Sequence, residues 1–450
     1  MALTNWKNGA LAVASAAALV SSAGVANAAD EGACPTGGNV VLVTGSTASA
    51  PFWKSLAPKL TGSSDPKIVY YGQGSCSGVQ STILPATNTA PITGKAIDYG
   101  TDPTGATTCD LPKSYTPDTA VSDVYGTTCS DVLTTAGAMA SDIAKFADIG
   151  GPIQAMVFAI PNASTGVTAI TAQQAFDTFV YAGTNTTCDI TPWNVTDQIF
   201  LRGNTSGTRR MLSSAIGAAF TGGPAAGAFD DTDGTKASGA TAPIRVESGA
   251  GPLLAALAGS TMPNAAIGIL STVDTDTPVG MPAVAPRNNT VKILAYQAPG
   301  QLKAYLPDAT AGSYDRINVR SGQYPIWGPL HFITASSDGK TATNANVAKL
   351  LGILAGTTAI TGGKADGSDF IDYSAAAHLV PQCAMNVSRS AEVSPTANYT
   401  PVHPTKACGC YYEKSANGAT VSSYCQTCTK DADCTKPGLS HCNYGYCEAS

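Results

Sequence analysis

Three short segments of this 450-residue chain combine glycine with hydroxyl side chains immediately after an apolar, β-branched run. They are Thr44-Gly45-Ser46-Thr47, Gly72-Gln73-Gly74-Ser75, and Gly203 to Gly207 followed by Thr208. Each is followed in turn by a helical pattern. A helix N-terminus offers unsatisfied N–H donors and about half a positive charge, so a strand-to-helix turn of this kind can hold an anion. Glycine lets the backbone approach closely, and Ser or Thr adds a donor that needs no counter-charge. Taken singly, each reads as ordinary helix capping; three in one chain, the last carrying Arg202, read as a site. Arg202 stands four residues before Ser206-Gly207-Thr208, where a guanidinium can contact a tetrahedral oxyanion through two N–H groups.

Other chemistry has weaker support. Gly74-Ser75-Cys76-Ser77-Gly78 has the outline of a nucleophile elbow with Cys at its centre, which keeps an exported phosphoester hydrolase as an alternative. The four histidines, His331, His378, His403 and His441, show no metal-binding spacing, and His331 within Leu330 to Ile333 reads as a satisfied core residue. Neither a metal nor a cofactor is expected.

The elements that would position these residues alternate. Val40 to Val43 precedes a helix over 51–60, Ile68 to Tyr71 a helix from Val79 to Leu84, Gln154 to Ile160 the helix Ala172 to Val180, and Ile199 to Leu201 the helix Thr208 to Phe220. This order predicts an α/β fold with largely parallel sheets, whose ligands sit beyond the carboxyl ends of the strands. Residues 101–134, rich in Thr, Asp and Pro, read as a surface insertion stapled by Cys109 and Cys129; residues 221–242 read as a loop, and 390–405 as a linker.

The motifs carry a resemblance. Gly45-Ser46-Thr47-Ala48-Ser49-Ala50-Pro51 resembles the first phosphate loop of the periplasmic phosphate-binding proteins that serve high-affinity phosphate ABC transporters. Tyr70-Tyr71-Gly72-Gln73-Gly74-Ser75-Cys76-Ser77-Gly78 is similar to their Tyr-x-Gly-x-Gly-Ser-Ser-Gly-Gly element. Asp98-Tyr99-Gly100-Thr101-Asp102 is similar to their Asp-Phe-Gly-x-Ser-Asp, one residue shorter, and Arg202 to Thr208 to their Arg-x-Asp-Gly-Ser-Gly-Thr. Ala266 to Ile269 and Tyr324-Pro325-Ile326 resemble further segments in the same order. The resemblance spans most of residues 39–380. It implies a two-lobed periplasmic-binding-protein fold with a hinge, lobe I over 35–150 and 290–395 and lobe II over 151–289. It also implies capture of inorganic phosphate, not an enzymatic reaction, and delivery to an ABC transporter permease. The implied phosphate contacts are Thr47, Ser75, Arg202, Ser206, Gly207 and Thr208, with Asp102 as acceptor of the ligand's proton. Asn204 stands where the pattern has an acidic partner for the arginine, which implies a less restrained Arg202.

Composition and termini set the context. Charged residues are 12% and the net charge is −6, against a usual charged share of about 25%; this excludes a basic nucleic-acid surface. Lys7, the apolar run Ala10 to Val20 and Ala26-Asn27-Ala28 predict a cleaved signal peptide over 1–28. A monomer in the periplasm, outside the cell or at its surface is expected. Thirteen cysteines then point to disulfides. Seven lie between Cys408 and Cys447, predicting a small disulfide-rich module over 406–450 appended to a 29–405 body; zinc at Cys425-x-x-Cys428 is the alternative. The odd count leaves one sulfur over, for which Cys383 is a candidate partner. A surface-interaction protein using this tail is the remaining reading.

Overall fold

The computed structural model describes residues 30–85, 94–100, 105, 107–111, 116–181, 190–220, 229, 244–276, 290–399, 406–418 and 421–449. In chain order these form β1 (Asp30–Ala33), β2 (Val40–Gly45), α1 (Ala50–Leu56), β3 (Lys67–Gly72), α2 (Ser75–Ile83), β4 (Lys95–Asp98), β5 (Thr108–Asp110), β6 (Thr119–Ser122), α3 (Ser130–Thr135), α4 (Ala140–Ile143) and the 16-residue β7 (Phe146–Pro161). There follow β8 (Ala169–Thr171), α5 (Ala172–Val180), β9 (Ile199–Arg202), α6 (Gly207–Ile216), β10 (Arg245–Glu247), α7 (Ala250–Ala258), β11 (Ile267–Ser271), α8 (Thr272–Thr275), β12 (Val291–Ile293) and β13 (Ala295–Gln297). The chain continues through α9 (Ile317–Arg320), β14 (Trp327–Ala335), α10 (Ala345–Leu354), α11 (Asp369–Ala376), β15 (Val387–Ser388), β16 (Ala397–Asn398), α12 (Gly409–Asn417), β17 (His441–Asn443) and β18 (Tyr446–Glu448).

The α/β fold class predicted from sequence is present. Twelve strands make one mixed sheet, ordered β1-β5-β4-β3-β2-β6-β14-β7-β11-β9-β10 with β12 also on β7. Strand β7 joins its two halves: residues 146–155 pair with β14, and 156–159 pair with β11. Residues 151–161 are all buried, as expected of a strand covered on both faces. In the first half β2 runs parallel to β3 and β6; in the second, β9 runs parallel to β11 and β10. Segment 290–297 sits with the second half, because β12 pairs with Ala159 to Pro161 and β13 with β8.

Three expectations from sequence differ from the structure. Residues 119–122 are not part of a surface insertion: β6 is buried between β2 and β14. Its Thr-Ala-Val-Ser sequence reads as polar, yet Thr119 Oγ1 donates to Ile333 O at 3.2 Å and Ser122 Oγ donates to Val124 O at 2.7 Å, so burial leaves neither hydroxyl without a partner. Cys109 does not pair with Cys129; the bridges are Cys34–Cys109 and Cys76–Cys129. The helix expected to reach Phe220 stops at Ile216, closed by Gly217 in the left-handed region.

The C-terminal stretch carries the expected disulfides, Cys410–Cys425, Cys428–Cys442 and Cys434–Cys447, with Cys383–Cys408 tying it to the body. It is not appended at arm's length. Helix α12 packs on α11, and Cys408, Tyr411, Tyr412 and Ala416 belong to the main hydrophobic core. The buried pair Arg320–Glu413 (2.8 Å) locks it in place. The preceding segment is anchored as well: Glu392 accepts from Tyr125 N (2.5 Å) and Thr128 Oγ1 (2.6 Å), and β16 pairs with β15. No helix among the described residues is long and apolar enough to cross a membrane. The expected signal peptide, residues 221–228 and 230–242 of the expected loop, and residues 400–405 of the expected linker lie outside the described residues.

Candidate anion-binding site

The parallel strands β2, β3 and β6 end side by side, with Gly45 facing Gly72 on one side and Val121 on the other. Gly45 is required there: its φ is +126°, and a Cβ would lie 2.1 Å from Val121 O. The chain leaves β2 through Ser46, whose backbone is fixed from the core. Its carbonyl accepts from the Tyr70 hydroxyl and from Ser49 Oγ, which in turn accepts from the Trp53 indole N–H. Trp53 and Phe332 pack edge to face beneath this turn.

Asp123, the first residue after β6, is the centre of the arrangement and is only 2% exposed. Its Oδ1 accepts from Ser46 Oγ at 2.5 Å. Its Oδ2 accepts from Ser75 Oγ at 3.2 Å and, more loosely, from Thr208 Oγ1 at 3.5 Å. Burial raises the Asp123 pKa, opposed by the Ser46 hydroxyl, the Arg202 charge and the Ser75 and Thr208 hydroxyls. Ser75 and Thr208 belong to the first turns of α2 and α6, one from each half of the sheet, and neither helix start is closed by a side-chain cap. The two starts touch. Cys76 N donates to Thr205 O at 2.9 Å, and a Cβ on Gly207 would fall 2.4 Å from Ser75 Oγ and 2.8 Å from Asp123 Cβ.

Arg202 ends β9 and is 3% exposed. Nη2 donates to Thr47 Oγ1 at 3.0 Å, across the two halves, while Nε has no hydrogen-bond partner among the described residues. Burial lowers its pKa, opposed by the charges of Asp274 and then Asp123. Asp274 sits at the start of α8 and accepts from Ser271 Oγ at 2.7 Å. Burial raises its carboxyl to about 6, against these hydrogen bonds and the pull of Arg202. The result is a desolvated cluster of hydroxyls, one guanidinium with a spare donor, and two carboxylates whose ionisation burial disfavours.

Of the residues singled out from sequence, Thr47, Ser75, Arg202, Gly207 and Thr208 converge here by direct contact. Ser206, the N-cap of α6, lies between Thr205 and Gly207, both of which touch the other half. Asp102 lies outside the described residues; the carboxylate that the Ser46, Ser75 and Thr208 hydroxyls contact is Asp123. A signal for it was present, because the resembling pattern ends in Ser-Asp and that pair stands at Ser122-Asp123, directly after the apolar Ala120-Val121. Ser46, beside Thr47, also reaches Asp123, a contact that the sequence does not single out. The nearness of Asp274 to Arg202 has no local signal, since it depends on β11 and β9 lying side by side.

The cysteines carry neither alternative chemistry. Cys76 is oxidised, which removes the nucleophile that the elbow outline would need. The sulfurs of Cys428, Cys434 and Cys447 lie within 4.8 Å of one another, but each is in a disulfide and offers no thiolate to zinc.

No family model matches the chain, and no curated protein matches it. Solved structures do. The chain is similar to a phosphate-binding protein from Stenotrophomonas maltophilia, at 17% identity with 76% of this chain and 91% of that one covered and a TM-score of 0.42. It is similar to a DING protein at 15% identity, 76% and 90% coverage and a TM-score of 0.47. A third is an ABC-type phosphate transport receptor from Vibrio cholerae, at 15% identity, 66% and 88% coverage and a TM-score of 0.37.

Proposed function

We propose that the chain binds inorganic phosphate between the two halves of its sheet, as an exported solute-binding protein that delivers its ligand to an ABC transporter permease. The observation that carries the reading is Asp123, a buried carboxylate ringed by the hydroxyls of Ser46, Ser75 and Thr208 beside an arginine with an unpartnered Nε. The Arg202 guanidinium and the first-turn N–H groups of α2 and α6 other than Cys76 N supply donors for a tetrahedral oxyanion, and the hydroxyls that donate to Asp123 can rotate to join them. Asp123 supplies the opposite: an acceptor. Phosphate near neutral pH keeps a proton to donate to it, whereas sulfate has none and would face an unpaired buried charge. A site built to pair a hydrogen-bonding group can reject the analogue lacking it by ~10⁴-fold.

In this reading Thr47, Ser75 and Asp123 come from one lobe, Arg202, Ser206, Gly207 and Thr208 from the other, and β7 is one strand of the hinge between them. The bonds Arg202–Thr47 and Cys76–Thr205 cross between halves and favour the closed form. Export fits the six disulfides among the described residues.

Titration calorimetry of the ligand-free, disulfide-intact protein with phosphate, arsenate and sulfate tests the reading. One phosphate per chain, arsenate close behind and sulfate far weaker is the expected result; equal affinity for sulfate, or no binding of any of the three, overturns it. A phosphoester tested in parallel is expected to show no turnover.

A further inference from the structure

Arg389 takes no part in the contacts of the anion site and carries a charge that no described carboxylate contacts. Its guanidinium carbon lies over the Trp327 ring, 3.8 Å from the centroid. Nη1 is held by the carbonyls of Pro325 (2.7 Å) and Trp327 (3.2 Å), and Nε has no partner among the described residues. Glu392 is near enough to act on it through space, but both its oxygens are committed to Tyr125 and Thr128. Burial draws the Arg389 pKa down to about 10, so it stays charged at neutral pH while being poorly solvated.

This cation borders a cavity of about 130 Å³. Its apolar walls are Ile153, Pro329, Met385 and Val387; Trp327, Ser388 and Tyr399 also line it, and Arg389 is the one charged residue in the lining. The Gln382 amide, also at the rim, is spent on the carbonyls of Gly150 and Gly151. A cavity of about 150 Å³ accepts a benzene ring, so this one suits a body of that size. A dianion suits it less well, because Arg389 is the only charge in the lining and four of the nine lining residues are aliphatic, Pro or Met. A carboxylate on an apolar body matches both features: a single negative charge for the guanidinium and carbon for the walls.

We propose that this cavity is a second ligand site, taking a small monocarboxylate with a ring-sized apolar body, its carboxylate against Arg389 and its body against Ile153, Pro329, Met385 and Val387. Ile153 lies just before the point where β7 passes from β14 to β11, and it bridges to Val380. An occupant there braces the junction between the two halves.

Benzoate and its neutral isostere benzamide are the probes, titrated into the intact protein by calorimetry and by two-dimensional NMR. Benzoate is expected to bind saturably and at least about tenfold more tightly than benzamide, the margin of one charge-assisted contact. Arg389→Met should abolish that preference. Val387→Trp, which fills the cavity but keeps the cation, should abolish benzoate binding while phosphate binding persists. Absence of saturable benzoate binding overturns the proposal, as does equal affinity for benzamide or benzoate binding retained in Val387→Trp. The phosphate reading is untouched by any of these results, since its titration is run separately on the same samples.

Discussion

The Arg210 guanidinium of α6 grips the Asp131 carboxylate of α3 through two parallel bonds, Nη1 to Oδ1 at 2.7 Å and Nη2 to Oδ2 at 2.9 Å. The two helices belong to opposite halves of the sheet. Nη1 also donates to Thr128 O (2.7 Å) and Nε to Asn204 O (2.8 Å). Between Thr128 and Asp131 stands Cys129, whose disulfide reaches Cys76, the neighbour of Ser75. One side chain thus fixes the start of α6 against the loop that carries Asp123 and against the start of α2. Arg210→Met is expected to weaken phosphate binding about 10- to 100-fold, the loss of two or three charge-assisted bonds in the closed form. Asp131→Asn should cost less, because Asp131 is partly exposed. Small-angle scattering of the anion-free Arg210→Met protein should show a larger radius of gyration than the parent; unchanged affinity and radius would show that the clamp does not set closure.

The identity of the proton acceptor separates two assignments 21 positions apart. With Asp123 as acceptor, Asp123→Asn should raise sulfate affinity relative to phosphate, because the amide can donate where the carboxylate could only accept. The anion preference should narrow by at least about tenfold. Asp102→Asn should leave the preference unchanged. Competition calorimetry on both variants decides the matter, and the reverse pattern would return the role to Asp102.

Local chemistry made much of this site legible and tertiary chemistry hid the rest. Gly45-Ser46-Thr47, Gly74-Ser75 and Ser206-Gly207-Thr208 announce themselves as strand-to-helix turns, because each follows a run of apolar β-formers and opens a helix. Strand β6 does not, since only two of its four residues are apolar and its Thr and Ser satisfy themselves with backbone carbonyls after burial. With that strand unread, Cys109 reads as the partner of Cys129; its partner is Cys34, brought near by β1 joining β5 at the sheet edge. Arg202 was expected to be loosely held because Asn204 is uncharged; its countercharge comes instead from Asp274, on a different strand end. The tail was legible as disulfide-rich, but its aromatics Tyr411 and Tyr412 gave no sign of which surface they cover.

Asp274 makes stability depend on pH. Its folded pKa of about 6 lies above the usual carboxyl value, so between roughly pH 4 and 6 the folded chain keeps a proton that the unfolded chain has released. The stabilisation from neutral Asp274 is complete below about pH 4 and is lost as pH rises through 6. Asp274→Asn is uncharged throughout, so its stability relative to the parent should rise by about 1–2 kcal/mol between pH 4 and 7; the full shift would give more, but partial solvent contact screens it. Urea unfolding at both pH values without phosphate measures the difference. A constant offset between the two proteins would remove Asp274 as the titrating group.

Deleting residues 406–450 tests whether the cysteine-rich end is an accessory or part of the core. An accessory would leave the body unchanged. The contacts say otherwise: Arg320 would lose Glu413 and stand buried without its carboxylate, at a cost of about 3–5 kcal/mol. Tyr412, 1% exposed, would vacate a site beside Tyr314, and Cys383 would lose Cys408. Each buried aromatic lost costs about 3–5 kcal/mol more, and a typical domain holds only about 5–15 kcal/mol in total. The truncated chain is therefore expected to lack a cooperative thermal transition. Arg320→Met in the full-length chain should be milder, because Glu413 keeps its bond from Ser422 N (3.0 Å). A truncated protein that melts cooperatively near the parent temperature would make the tail a separable module after all.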